Sequence, residues 1–113
     1  MRTHEVADQA RVNPRTLRYY ERRGLLPAPP RSPAGYRDYP HTVIAVVRFI
    51  KRTQRLGFTL ADAEQLVQMA AGGPDNSVDA RTLADTYLAA IDRKIADLQC
   101  MRAALDDVLA TCE

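Results

Sequence analysis

The sequence contains little of what marks a membrane protein, a secreted disulfide-rich domain or a large enzyme. Its 113 residues include two cysteines and no tryptophan, and two cysteines cannot make a disulfide framework. No apolar run approaches the roughly 18 residues that a membrane span requires, and the polar start of the chain has no apolar signal core. These absences predict a cytoplasmic protein without a membrane partner, built from one domain and at most one appendage.

The sequence also lacks the short motifs that carry common enzyme chemistry. It has no nucleophile elbow, no Walker loop, no Gly-rich dinucleotide fingerprint and no His-Glu-x-x-His metal helix. Its two histidines, His4 and His41, fall at predicted helix starts, where ordinary surface positions are expected. We therefore predict that the protein is not an enzyme.

A net charge of +2 conceals a strong division of charge along the chain. Residues 1–58 carry twelve Lys or Arg and four acidic side chains, for a net charge of +8. Residues 59–113 carry four basic and ten acidic side chains, for a net charge of −6. A basic half joined to an acidic half indicates a head that binds a polyanion and a separate tail for a partner or an effector. Chance clustering of the charges is the alternative.

The basic half has the pattern of two short helices joined by a tight turn. Thr3 is predicted to cap the first helix, and Asn13 caps the second, which has Pro14 at its first position and ends at Gly24. Two such helices are typical of a helix-turn-helix. Residues 25–40 contain five prolines with interleaved Arg and Tyr, and this pattern predicts a short hairpin or wing.

Three further helices are predicted after the wing. Residues 41–56 form the first of them, because an apolar stripe with helical spacing extends to Leu56. Thr59 and Asp62 make a predicted capping box at the start of the next helix. The segment from residue 78 or 79 to residue 111 contains neither Gly nor Pro, so it is predicted to be one long helix.

The long helix carries an apolar seam whose members are three or four residues apart, which is heptad spacing with one polar interruption at Arg102. The apolar members of the seam are Leu88, Ile91, Ile95, Leu98, Leu105 and Leu109. The same helix of a second copy is the expected partner, while folding back onto its own domain is the alternative. The predicted fold is mainly α: a winged helix-turn-helix DNA-binding head (1–70), a linker loop (71–77) and a dimerisation helix (78–113) in an antiparallel coiled coil.

Four stretches of the chain resemble the MerR family of transcriptional regulators. They are PRTLRYYERRGLLP at 14–27, RSPAGYRDY at 31–39, RFIK at 48–51 and LGFTL at 56–60. The resemblance implies a homodimer that binds a pseudo-palindromic operator in double-stranded promoter DNA and represses without its effector. With the effector, such a dimer bends and untwists the DNA so that RNA polymerase can use the promoter. No cofactor is expected to be needed for DNA binding itself.

The resemblance also assigns DNA contacts to positions on three elements. They are Arg15, Arg18 and Tyr20 on the second helix, Arg31, Tyr36 and Arg37 on the wing, and Arg52 and Arg55 on the third helix. Arg and Tyr side chains donate hydrogen bonds to phosphates, and Arg near a helix N-terminus also reaches guanine edges. A solvated basic face is the alternative.

An effector site at the end of the long helix is a further implication of the resemblance. Cys112 stands where metal sensors of the family place a ligand cysteine, and a thiolate suits a soft metal. At the position of Ser77, mercury, zinc and lead sensors have a cysteine, and copper, silver and gold sensors have a serine. Ser77 is therefore expected to line the site from the other subunit. This combination predicts Cu(I), Ag(I) or Au(I) in preference to Hg(II) or Zn(II), although Ser77 also suits a plain helix cap.

Several alternatives remain open at the end of the chain. Copper-type members have a second ligand cysteine in a loop after the first, whereas this sequence ends at Glu113, so it contains half of such a site. A longer chain, a natural short form and an effector other than a metal each account for this. Cys100, on the outer face of the helix, is interpreted as a thiol without a ligand role. A sensor of thiol oxidation or of an organic ligand, and a DNA-bending protein without an effector, are the competing functions.

Overall fold

The structure is a computed structural model that describes residues 1–70 and 78–111. The helices in these residues are α1 (Thr3–Ala10), α2 (Pro14–Arg22), α3 (Thr42–Arg55), α4 (Leu60–Ala70) and α5 (Val78–Thr111). The mainly helical class predicted from the sequence is confirmed. The chain divides into two compact units, Met1–Gly73 and Pro74–Glu113.

Helix α1 begins one residue earlier than the sequence predicts. Thr3 is already helical, and the capping position belongs to Arg2, whose backbone N–H donates to Glu5 Oε1 at 3.0 Å. The prediction of Thr3 as the cap was wrong, because the Glu5 carboxylate in the first turn accepts from the backbone N–H of Arg2 and so allows the helix to begin at Thr3. The helix ends at Ala10, and the capping residue Arg11 that follows adopts a left-handed conformation with a φ of 58°.

Helix α2 begins and ends at the predicted residues. Asn13 Oδ1 accepts a hydrogen bond from the backbone N–H of Arg15 at 2.8 Å, and Pro14 occupies the first helical position. Gly24 adopts a φ of 79° just after the helix, a conformation that glycine reaches without strain. Together α1 and α2 form the helix-turn-helix.

The first unit has one apolar core, to which α1 to α4 and the wing all contribute. Its buried members are Val6, Ala10, Leu17, Tyr20, Leu25, Leu26, Tyr39, Val43, Val47, Ile50 and Ala63. The apolar stripe predicted along α3 is present, except that Leu56 is 51% exposed because it follows the last helical residue. This core fixes α2 and the wing against α1 and α3.

The wing between α2 and α3 is a hairpin reduced to one antiparallel bridge, between Arg31 and Arg37. Its turn is closed by Ser32, whose backbone N–H donates to the carbonyl of Tyr36 at 2.7 Å and whose hydroxyl accepts from the Tyr36 N–H at 3.1 Å. Gly35 has a φ of 86° in this turn. The predicted wing is thus present without a regular strand in the described residues.

Helix α4 starts with the predicted capping box. The backbone N–H of Asp62 donates to Thr59 Oγ1 at 3.0 Å, and the backbone N–H of Thr59 donates to Asp62 Oδ2 at 2.9 Å. The two reciprocal bonds satisfy backbone donors that would otherwise lack a partner at the helix start. Ala63, one turn later, is buried against α3 and anchors α4 in the core.

The second unit contains α5, a helix of 34 residues that covers about 51 Å. The apolar side chains of the predicted seam are exposed along it, from Ile91 at 37% to Leu109 at 72%. No helix in the described part of the chain is both long and apolar enough to cross a membrane.

Candidate DNA interface

Helix α2 exposes its basic side chains and buries its apolar ones. Arg15 and Arg18 are exposed, whereas Leu17 and Tyr20, three residues apart, are buried in the core. This arrangement follows from the helical period, because residues three or four apart share a face. The exposed face of α2 is therefore basic, as a recognition helix requires.

A first cleft lies between the start of α1, helix α2 and the wing. It has a volume of about 280 Å³ and is lined by Arg2, Thr3, His4, Arg18, Arg31, Gly35, Tyr36 and Arg37. The structure thus brings together four of the predicted DNA-contacting residues from two elements. Four arginines in one cleft make a strongly anion-attracting surface.

Contacts within the first cleft orient its side chains. The guanidinium of Arg2 stacks over the Tyr36 ring, 4.3 Å from the centroid, and Arg31 Nη1 donates to the Gly35 carbonyl at 3.2 Å. The stacked guanidinium gains attraction from the face of the ring and keeps its N–H donors for other partners. Arg2 is a cleft residue that the sequence analysis missed, because it comes from a different element.

The wing is anchored at its base by Met1 and Tyr39. The backbone N–H of Tyr39 donates to the Met1 carbonyl at 2.7 Å, and the Met1 amino group donates to the Tyr39 carbonyl at 2.8 Å. The same amino group donates to Asp38 Oδ1 at 2.8 Å, which lowers the pKa of that carboxyl. These bonds hold the wing segment that carries Arg37 next to α1.

Glu21 of α2 contacts two wing residues through one oxygen. Its Oε2 accepts a hydrogen bond from the Tyr39 hydroxyl at 3.1 Å and lies 3.3 Å from Arg37 Nε, an ion pair. Burial raises the pKa of the Tyr39 phenol, and the neighbouring carboxylate adds to that rise because it disfavours the phenolate. The sequence analysis assigned no role to Glu21.

A second cleft lies between the end of α1 and the exposed face of α3. It has a volume of about 480 Å³ and is lined by Ala10, Arg11, Arg48, Lys51, Arg52 and Arg55. Arg48 Nη2 donates to the Gln9 carbonyl at 2.8 Å, so this side chain also satisfies the end of α1. Arg52 and Arg55, both predicted contacts, therefore belong to a larger basic group.

Arg11, Arg48 and Lys51 are residues of the second cleft that the sequence analysis did not select. The spacing of the basic residues on α3 gave a signal, because residues 48, 51, 52 and 55 are three or four apart and share a helix face. Arg11 gave no such signal, because only the packing of α1 on α3 brings it to the cleft.

The structure places Tyr20 apart from the other predicted contacts. Its side chain is 2% exposed, its hydroxyl donates to Gln54 Oε1 at 3.0 Å, and burial raises its pKa. The structure therefore does not place Tyr20, a predicted DNA contact, on the exposed face of α2, because its helical register is that of the buried Leu17. Its neighbour Tyr19 is 41% exposed on α2.

The metal ligands predicted from the sequence, Cys112 and Ser77, lie outside the described residues. Within the described ranges, 1–70 and 78–111, no group of three or more His, Cys, Asp or Glu side chains is placed to hold a metal ion. Cys100 is an exposed, free thiol on α5.

Comparison with known proteins identifies the family. A model of the MerR helix-turn-helix family of regulatory proteins matches residues 1–70, and a model described as MerR, DNA binding, matches residues 44–108. The chain belongs to the MerR family. It is thus a DNA-binding transcriptional regulator, and it belongs to a family that is not enzymatic, as the sequence analysis predicted.

Individual MerR-family proteins resemble the chain over nearly its whole length. A mercuric resistance operon regulatory protein of Bacillus cereus is 38% identical over 98% of this chain and 84% of its own length. The transcriptional regulator HmrR of Rhizobium leguminosarum bv. viciae is 36% identical over 99% of this chain and 86% of its own. A solved structure of a regulator from Ralstonia metallidurans in complex with lead(II) is 28% identical, with a TM-score of 0.64, over 100% of this chain and 88% of its own.

Proposed function

We propose that this MerR-family regulator binds promoter DNA as a homodimer, with α2 in the major groove and both basic clefts on the phosphate backbone. The observation that carries the proposal is the pair of basic clefts, which lie at opposite ends of α1. The two ends are about 10 Å apart along the helix axis. A duplex that meets α2 between the clefts would offer phosphates to both of them.

The position of each side chain indicates whether it would contact bases or phosphates. Arg15 and Arg18 on the exposed face of α2 are suited to guanine edges or nearby phosphates. Arg31, Tyr36 and Arg37 on the wing, with the α3 residues of the second cleft, are suited to phosphates, which set the position of the protein on the duplex. Arg15 lines neither cleft and would act from the first turn of α2.

The proposed dimer rests on α5. Its exposed apolar seam, from Leu88 to Leu109, covers about 32 Å, close to the roughly 34 Å between successive major grooves on one face of B-DNA. An antiparallel pair of α5 helices would bury this seam and hold two heads one helical turn of DNA apart. The resulting two-fold symmetry matches a pseudo-palindromic operator.

We further propose that a soft metal ion is the effector. The relatives with mercuric resistance in their names, and the related structure with lead(II), support a metal response in this chain. Cys112 would supply a thiolate, and Ser77 of the other subunit a neutral hydroxyl. A site with fewer negative charges favours Cu(I), Ag(I) or Au(I) over Hg(II) or Zn(II).

The metal-bound dimer would act on the shape of the DNA. Bending and untwisting the promoter between the two half-sites would align its elements for RNA polymerase, and the dimer without metal would repress. Such a mechanism reads DNA deformability at positions that the protein does not contact.

Selection of DNA tests the proposal directly. The purified chain would be used to select duplexes from a random-sequence pool, and the affinity for the enriched duplex would be measured by fluorescence anisotropy. We expect a pseudo-palindromic sequence and a loss of about tenfold or more in affinity for Arg18→Ala, as an arginine that contacts a base edge contributes about 1–3 kcal/mol. Arg93→Ala, which removes an exposed arginine of α5, is the matched control. Enrichment of no sequence, or equal losses in both variants, would contradict the proposal.

Titration with Ag(I), and separately with Hg(II), against a competing thiol tests the metal assignment. We expect Cys112→Ser to abolish binding and Cys100→Ser to leave it unchanged. Unchanged binding in Cys112→Ser would remove the role of this cysteine. Tighter binding of Hg(II) than of Ag(I) would overturn the preference for a monovalent ion.

A further inference from the structure

Glu21 connects the recognition helix to the wing, and as an acidic residue it is not expected to contact DNA itself. One oxygen, Oε2, meets both the Tyr39 hydroxyl at 3.1 Å and Arg37 Nε at 3.3 Å. The Glu21 side chain is 15% exposed, and that of Arg37 is 32% exposed, so the pair is largely shielded from solvent. We propose that Glu21 is a positioning residue for DNA binding, which holds the Arg37 guanidinium at the first cleft in the orientation that meets a phosphate.

The chemistry of Arg37 explains why it needs this partner. Its Nε is buried and makes no hydrogen bond of good geometry in the described residues, so the nearby Glu21 charge is what compensates it there. A buried guanidinium nitrogen without a compensating charge is strongly disfavoured. A guanidinium carries five N–H donors, and one of them belongs to Nε. The contact with Glu21 therefore leaves the four terminal donors of Arg37 for a ligand in the cleft.

Because Glu21 lies on α2 and contacts Arg37, it fixes the position of this wing residue relative to the helix. Glu21 follows Arg18 by three residues, so both side chains lie on one side of α2. Arg18 and Arg37 line the same cleft, and Arg37 is also the wing residue paired with Arg31 in the antiparallel bridge. Glu21 thus sets the distance between an arginine of the recognition helix and an arginine of the wing. The DNA groups that these arginines bind, two phosphates or one phosphate and a base, would have to lie at the same distance from each other.

The proposal predicts that removing the negative charge of Glu21 lowers the affinity for DNA, which is the opposite of the simple electrostatic expectation. A carboxylate in a basic DNA-binding surface repels phosphates, so its neutralisation by itself would strengthen binding. If Glu21 positions Arg37, Glu21→Gln instead weakens binding, because the neutral amide no longer compensates the buried nitrogen. The size expected is about tenfold, which corresponds to about 1.4 kcal/mol in the free energy of binding.

A double-mutant cycle on the selected duplex tests the proposal, which rests on the proposed DNA contact of Arg37. Affinities would be measured by anisotropy for the full chain and for Glu21→Gln, Arg37→Ala and the double variant. We expect Glu21→Gln to weaken binding about tenfold alone, and to leave it unchanged or slightly stronger once Arg37 is Ala. Tyr39→Phe, which removes the other partner of Glu21, should stay within about twofold of the unmodified chain.

Glu64→Gln is the matched charge control. Glu64 on α4 pairs with Arg23 at 3.0 Å and lines neither basic cleft, so the same loss of charge there should not alter affinity. Equal weakening by Glu21→Gln in both backgrounds, or no weakening in the unmodified chain, would overturn the positioning role. If Arg37→Ala does not weaken binding, the DNA contact assigned to Arg37 in the proposed function is wrong. This result is distinguishable from a failure of the positioning role of Glu21. Should Glu21→Gln not fold, Glu21→Asp, which withdraws the charge by one methylene, takes its place in the cycle.

Discussion

At the scale of single residues, two buried tyrosines make the stability of the head sensitive to alkali. Burial raises the pKa of Tyr20 and Tyr39 in the folded protein, so the unfolded chain releases these protons first as the pH rises through about 10. Their contribution to the free energy of unfolding is intact below that pH and declines as the pH approaches the raised, folded-state pKa values. The protein should therefore lose stability above about pH 10.

Urea unfolding at neutral and alkaline pH measures this loss. We expect Tyr20→Phe combined with Tyr39→Phe to lose less stability between the two pH values than the unmodified chain. Tyr36→Phe, which changes an exposed tyrosine, should lose as much as the unmodified chain. Equal alkaline losses in all three proteins would contradict the assignment.

The two tyrosines of α2 and Glu21 show which side-chain positions the sequence can predict. The resemblance assigned a DNA contact to Tyr20, and the neighbouring Tyr19 raises the question of which of the two side chains packs inward. The helical spacing from Leu17 to Tyr20 does decide it, since both are buried. Glu21 could not be assigned in this way, because its two partners are far along the chain on the wing.

At the scale of elements, the cap of α2 supports the recognition helix. The Asn13 side chain accepts from the Arg15 N–H, and removal of such a cap costs about 1 kcal/mol. We expect Asn13→Ala to lower the free energy of unfolding by about this amount, while Asn13→Ser, which keeps a capping oxygen, stays close to the unmodified chain. Chemical denaturation of the three proteins checks this, and equal stability of the Ala and Ser variants would count against the cap.

Helix boundaries were largely predictable, and the clefts were not. The caps at Asn13, Gly24 and the Thr59–Asp62 box depend on neighbouring residues, so their patterns are visible in the sequence. The second cleft combines Arg11 of the α1 cap with residues of α3, and only tertiary packing brings them together. Arg48 and Lys51 differ from Arg11 in this respect, because they share a face of α3 with Arg52 and Arg55 and the spacing in the sequence already indicates this.

At the scale of the whole molecule, the exposed seam of α5 predicts the oligomeric state. A charged side chain in the middle of a buried apolar seam is strongly disfavoured. We expect Leu98→Asp combined with Leu105→Asp to convert a dimer into a monomer, as measured by sedimentation velocity. Ala96→Asp, on the opposite face of α5, should remain dimeric. A monomeric unmodified chain would contradict the proposed dimer.

The salt dependence of DNA binding tests the central claim most directly, because the claim is that both clefts hold phosphates. The logarithm of the association constant falls linearly with the logarithm of salt concentration, with a slope of about 0.9 for each phosphate contact. We predict a shallower slope for Arg18→Ala with Arg37→Ala and for Arg52→Ala with Arg55→Ala, by about 0.9 for every contact removed. The α5 control, Arg81→Ala with Arg93→Ala, loses the same charge at exposed positions outside the apolar seam and should keep the slope of the unmodified chain. Equal slopes in all four proteins would contradict the account.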